Sequence, residues 1–81
     1  MPEVWLFGGL RDAVDGAETV RVEGKTIREL LQNLGREYPP LRERIEQGVA
    51  IAIDGVIYRD DWEQPIPEGA EVGLLSRIAG G

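Results

Sequence analysis

The sequence predicts an α+β domain in which one main helix packs across a mixed sheet, and a few local signals carry that prediction. Thr19-Val20-Arg21-Val22-Glu23 alternates polar and apolar residues with the period of a half-buried strand. Ile27, Leu30, Leu31 and Leu34 recur at i, i+3, i+4 and i+7, the stripe of an amphipathic helix. Asp54-Gly55 joins two apolar runs, and Asp-Gly in that setting signals a hairpin because both central residues of the tight turn need positive φ. Strands and helix do not alternate as repeated βα units, so the pattern is that of an α+β domain and not of a doubly wound sheet.

Residues 3–7, EVWLF, form the first predicted strand, with Val4 and Leu6 on one face and Trp5 and Phe7 on the other. Apolar residues on both faces belong to a strand covered on two sides or to one that exposes an adhesive outer face. Gly8 and Gly9 relax the strand, and residues 11–18 read as a loop with a turn at Asp15-Gly16. The 19–23 strand puts Val20 and Val22 inward and pairs with the first strand as a hairpin.

Thr26-Ile27-Arg28-Glu29 has the spacing of a capping box, in which the Thr26 hydroxyl accepts from the Glu29 amide and the Glu29 side chain reaches back. The helix that follows carries Arg28, Glu29, Gln32 and Arg36 on its wet side. Pro39 and Pro40 end it, since a residue before proline is pushed out of helical conformation. Residues 41–46 read as a short second helix burying Leu41 and Ile45.

In VAIAI, residues 49–53, the large side chains face one way and Ala50 and Ala52 the other, which leaves room for a bulky neighbour. VIY is the return arm of the hairpin. Residues 59–69 are irregular, with Pro65 and Pro67 barring regular pairing. Residues 70–78 form the last strand, with Val72 and Leu74 inward and Leu75 on the opposite face. If that strand lies beside the first, the chain leaves the sheet edge near Gly8 and its last residues project into solvent.

Eighty-one residues are enough for one small domain and leave little room for a deep, enclosed active site. The net charge of −6 comes from acids scattered along the chain, the opposite of the basic stripe of a nucleic-acid binder, and it suits solubility or steering toward a basic protein partner. No apolar run is long enough to span a bilayer. Residues 1–10 lack the basic start and small-residue cleavage site of a signal peptide, so a cytoplasmic location is expected, with neither nucleic acid nor membrane as a partner.

The chain contains no His and no Cys, which removes thiolate nucleophiles, imidazole bases, iron-sulfur ligation and the usual zinc sites. Its one serine, Ser76, has no basic residue suited to activate it, and the adjacent acids Asp60-Asp61 read as a solvated turn. No catalytic constellation emerges, and no metal or cofactor site. What stands out is the ending, Ile78-Ala79-Gly80-Gly81. With 11 Gly in 81 residues, a Gly-Gly ending arises by chance in about 2% of such chains, so a role for it outweighs a frayed end. Lys25 is the only lysine.

Taken together, VWLFGGLRD at the start, TIRELLQNL in the helix, IAIDG in the hairpin and PIPEGAEVGLLSRIAGG at the end resemble the MoaD/ThiS sulfur-carrier family, the ubiquitin-like β-grasp proteins of prokaryotes. The helix and hairpin segments are generic; the closing GAEV…IAGG is specific. The resemblance implies a β-grasp domain at residues 1–77, with a mixed four- to five-stranded sheet, one main helix and a short second helix, followed by a flexible Gly-Gly tail at 78–81. It implies a co-substrate that does not itself catalyse the reaction, though it can stand as the small subunit of a synthase. An adenylating partner uses ATP and magnesium to activate the Gly81 carboxylate, sulfur from a desulfurase or persulfide protein replaces AMP to give a thiocarboxylate, and an acceptor synthase takes the sulfur.

Gly80 and Gly81 would thread a narrow cleft, which residues lacking Cβ allow. Phe7 and Leu75 match positions where such carriers meet partners, Arg11 falls at a commonly basic one, and Arg77, Ile78 and Ala79 belong to the engaged tail. Trp5 either joins that apolar surface or is covered by the chain's own RDDWEQPIP loop, residues 59–67. Members serving molybdopterin synthesis often carry Pro-Pro where this chain has Ser76-Arg77, so the receiving pathway stays open among molybdopterin, thiamin, cysteine, tRNA thiolation and specialised metabolites. Two other readings share the sequence: a ubiquitin-like modifier conjugated through Gly81, and a non-covalent β-grasp module that binds through Trp5, Phe7 and Leu75.

Overall fold

Alternation along the strands and the 3.6-residue period of the helix meet in one hydrophobic core. The computed structural model describes residues 1–76, and Arg77, Ile78, Ala79, Gly80 and Gly81 lie outside the described residues. Five strands, β1 (Glu3–Leu6), β2 (Thr19–Arg21), β3 (Val49–Ile53), β4 (Val56–Tyr58) and β5 (Val72–Ser76), form a sheet in the order β2-β1-β5-β3-β4. Strand β5 runs parallel to β1, in the register Val4 to Val72 and Leu6 to Leu74; the other pairings are antiparallel. Two helices, α1 (Ile27–Glu37) and α2 (Pro39–Gln47), supply the second layer. The sequence-predicted order of strands and main helix holds, and the last strand does lie beside the first.

The core joins Val4, Leu6, Val72, Leu74, Val49, Ile51 and Ile53 of the sheet to Ile27, Leu30, Leu31 and Leu34 of α1 and Leu41 of α2. Fully burying one such side chain contributes about 1.5–3 kcal/mol. Arg28, Glu29, Gln32 and Arg36 stay exposed, as the stripe requires. Gly24 is buried where the exit from β2 meets α1, and a Cβ there would lie 2.7 Å from Leu30 Cα. Asp54 and Gly55 both adopt positive φ, 49° and 87°, the conformation of a two-residue type I′ hairpin turn between β3 and β4.

The start of α1 repeats the expected cap with one change. The Glu29 N–H donates to Thr26 Oγ1 at 3.2 Å, but the Glu29 carboxylate accepts from the Lys25 N–H at 3.0 Å, one residue further back than an ideal capping box. Two further orphan donors of this helix end are satisfied by the irregular segment that follows β4: the Ile27 N–H donates to the Gln64 carbonyl at 3.1 Å and the Arg28 N–H to the Trp62 carbonyl at 2.8 Å. Trp62 and Ile66 of that segment pack against the core.

Several expectations are corrected. The first strand ends at Leu6, because Phe7 caps a 3-10 helix, Gly8–Val14, in place of the expected loop. That helix buries Leu10 and Val14, and it stops at Asp15, which is left-handed at φ 57° and followed by Gly16 at 81°. Pro39 and Pro40 do not merely end α1; they open α2, where a missing N–H costs nothing and proline's φ is already helical, so the second helix runs from Pro39 to Gln47. It buries Leu41 fully and Ile45 partly. The described part of the last strand begins only at Val72, since Ala70 closes a turn onto Pro67. Strand β5 is also the central strand, so Ser76, the last described residue, stands in the middle of the strand order, beside the Gly8 end of β1 as expected.

Candidate functional site

The outer face of the sheet, opposite the core, is built from the alternate residues of the same strands. Register places Thr19, Trp5, Gly73, Ala52 and Ile57 in one row across that face. Leu75 lies beside Ala50 in the next row and is partly exposed. Trp5, Phe7 and Ile57 remain 43%, 47% and 51% exposed, an unusual concentration of large apolar side chains on a small domain. The 59–67 loop is bonded to the start of α1 and to Lys25, and although its Ile66 and Pro67 border a depression shared with Trp5, Trp5 stays 43% exposed. The exposed alternative for Trp5 is therefore the one the fold adopts.

The middle of this face is made of small residues, and the reason is local. A Cβ on Gly73 would lie 2.9 Å from Phe7 Cε2, so the phenyl ring rests directly on the glycine, next to Ala52. This fills the space beside Ala52, while Ala50 faces Leu75 across the strands. A shallow depression of about 210 Å³ remains among Trp5, Phe7, Ala52 and Gly73. Sequence reasoning singled out Phe7 and Leu75 but missed Gly73 and Ile57; the alternation of small residues in VAIAI was the available signal.

Parallel pairing of β1 and β5 decides what sits near the end of the chain. Ser76, the last described residue, lies beyond Leu74, and the Phe7 N–H donates to the Leu74 carbonyl at 3.3 Å. Arg11 is held at the same end of β1, where its Nε donates to the Leu6 carbonyl at 3.0 Å. Phe7, Arg11 and Leu75 thus gather where β5 ends, whereas Arg77, Ile78, Ala79, Gly80 and Gly81 fall outside the described residues. No group of His, Cys, Asp and Glu suited to a metal occurs among the described residues, nor is any helix there long and apolar enough to cross a membrane.

Known structures share this architecture. CysO from Mycobacterium tuberculosis superposes with a TM-score of 0.80 at 19% identity, over 96% of this chain and 100% of its own. Small archaeal modifier protein 1 from Methanosarcina acetivorans gives 0.77 at 26% identity, over 98% and 94%. A chain from the complex of subunits 1 and 2 of molybdopterin-converting factor from Helicobacter pylori gives 0.68 at 25% identity, over 98% and 96%. No curated protein matches by sequence. The ThiS family model matches residues 4–81, nearly the whole chain and through its Gly-Gly ending, and with the ubiquitin-like β-grasp fold in hand this chain belongs to the ThiS family of small sulfur-carrier proteins.

Proposed function

We propose that this chain carries sulfur as a thiocarboxylate on Gly81. The observation that carries the reading is the parallel β1–β5 pairing, which brings the end of the last strand beside an exposed apolar face bearing Phe7 and Leu75. Residues 1–77 act as the docking body and residues 78–81 as the tail. A cytoplasmic adenylating enzyme joins a Gly81 carboxylate oxygen to the α-phosphorus of ATP, with magnesium, and pyrophosphate leaves. The terminal sulfur of a donor persulfide then attacks the acyl carbon and AMP leaves; a thiol cleaves the resulting acyl disulfide to free the thiocarboxylate, and an acceptor synthase receives the sulfur while water restores the Gly81 carboxylate. In this reading the carrier contributes the Gly81 carboxylate as the nucleophile of the adenylation and then an unhindered acyl carbon, since neither Gly80 nor Gly81 has a Cβ to block a narrow cleft. Phe7, Arg11 and Leu75 dock, and Arg77, Ile78 and Ala79 guide the tail. The Helicobacter pylori relative, a complex of two subunits, supports protein partners of this kind.

The test is intact mass after incubation with ATP, magnesium, an activating enzyme and a sulfur source. A mass increase equal to exchanging one oxygen for sulfur, lost on deletion of Gly80 and Gly81, is expected; an unchanged mass overturns the reading. A second reading, conjugation of Gly81 to a target amine, is favoured by the similarity to small archaeal modifier protein 1. Immunoblots of cell extract separate the two, because slower-migrating conjugates belong to the modifier and free protein alone to the carrier.

A further inference from the structure

A second depression, about 540 Å³ and larger than the one beside Phe7, lies at the other pole of the sheet. Three segments build it: residues 1–3 leading into β1, residues 23–25 after β2, and residues 66–71 leading into β5. Its apolar lining includes Trp5, Ile66, Pro67 and Ala70. Around these stand Glu23, Glu68 and Glu71, with Glu3 already paired to Arg21 and Thr19, against Lys25 as the single basic side chain of the lining. The walls are tied together: the Val22 N–H donates to the Pro2 carbonyl at 3.3 Å, the Ile66 N–H to the Lys25 carbonyl at 2.8 Å, and the Glu71 N–H to Asp54 Oδ1 at 2.9 Å. Gly24 is wedged against Leu30, which fixes the 23–25 wall on α1.

The groove is therefore preformed, so an occupant would not have to organise it, and it brings a partly exposed indole together with several carboxylates. That chemistry fits a basic protein segment with an apolar anchor. A guanidinium would lie over Trp5, where the ring quadrupole attracts a cation, and its neighbours would face the glutamates. Because β1 and β5 run parallel, the groove sits where both strands begin and Ser76 where β5 ends. A partner seated in the groove leaves the tail end open. We infer that this groove is a second docking site, which shares Trp5 and Glu71 with the depression beside Phe7 but has walls of its own at residues 1–3, 23–25 and 66–70, for an arginine-containing apolar segment of a protein partner, so that the chain can be held by one protein while another works on its tail. The inference goes beyond the carrier reading and does not require it.

The experiment titrates the full chain, labelled with 15N, with the capped peptide Gly-Arg-Leu-Arg-Gly, using Gly-Glu-Leu-Glu-Gly as the control. Saturable shifts of the Trp5 indole N–H and of the amides of Glu23, Lys25, Ile66 and Glu68 are expected, with the Trp62 indole and the amides of Phe7 and Leu75 still. Replacing Trp5→Ala should abolish them, and the double change Glu23→Lys and Glu68→Lys should weaken binding about tenfold, with the Trp62 indole reporting that each variant is folded. Shifts that are absent, spread over the whole acidic surface, centred on Phe7 and Leu75, or unchanged in Trp5→Ala overturn the inference. A chain that gains sulfur at Gly81 but ignores the peptide loses the groove and keeps the carrier; the reverse result separates them the other way.

Discussion

The two faces of one sheet are made by the same five strands and have opposite characters. On the inner face Val4, Leu6, Ile51, Val72 and Leu74 are buried against α1 and α2; on the outer face Trp5, Phe7, Leu75 and Ile57 stand partly or mostly in water around a floor of Gly73, Ala50 and Ala52. Leu6 and Phe7 are neighbours in sequence yet belong to different economies of the molecule. A domain this small needs nearly all its inward side chains for stability. The outward ones are released from that duty, and here they are apolar where solubility alone would make them polar. The contrast teaches that the fold spends one face on holding together and leaves the other for meeting proteins.

The contrast can be broken most sharply at Leu6. Leu6→Ala should destabilise by about 2–5 kcal/mol, read as a lower urea midpoint with little change in slope; a loss below 1 kcal/mol would mean the inner face is not the core that its burial indicates. Next in size is Gly24→Ala. The added Cβ meets backbone and not a mobile side-chain tip, so α1 must shift from the β2 exit, at a cost of about 1–3 kcal/mol by the same measurement. Thr26→Ala removes the side-chain acceptor at the start of the helix that covers the inner face and should cost about 1 kcal/mol, with the amides of Glu29 and Leu30 exchanging faster with solvent. The smallest effect on stability is expected on the outer face, where Phe7→Ala should cost about 1 kcal/mol, since the ring is half in water already. Its consequence should instead fall on recognition, as a weaker complex with the activating enzyme in calorimetry. If Phe7→Ala proved as destabilising as Leu6→Ala, the division between the faces would fail.

Much of the fold was legible because its signals are local. The Ile27, Leu30, Leu31, Leu34 stripe, the Thr26 cap and the Asp54-Gly55 turn each depend on residues within a few positions of one another, and each appears where it was read, the cap differing only in that Glu29 reaches Lys25 in place of Thr26. The missed elements had weaker or ambiguous local signals. Leu10 and Val14 are the two buried residues of a seven-residue 3-10 helix, too few to show a period, and Gly8-Gly9 before them reads as a break. Pro39-Pro40 ends one helix and begins another, and nothing in the dipeptide itself distinguishes stopping from restarting; burial of Leu41 against the core decides it. At the candidate site, Phe7 and Leu75 were found through strand alternation together with their match to a family, whereas Gly73 carries no sign of its role until the Phe7 ring is seen lying on it.

By itself, then, the sequence determined the periodicities, the caps, the hairpin turn and the presence of two glycines at 80 and 81, because these are properties of short stretches. Only the tertiary structure decided that β5 enters the middle of the sheet parallel to β1, that the 59–67 segment closes the start of α1 and leaves Trp5 exposed, and that a groove opens at the pole away from Ser76. Those outcomes join opposite ends of the chain. Such contacts form when the sum of all buried surfaces favours one arrangement over its rivals, a balance that no local window contains.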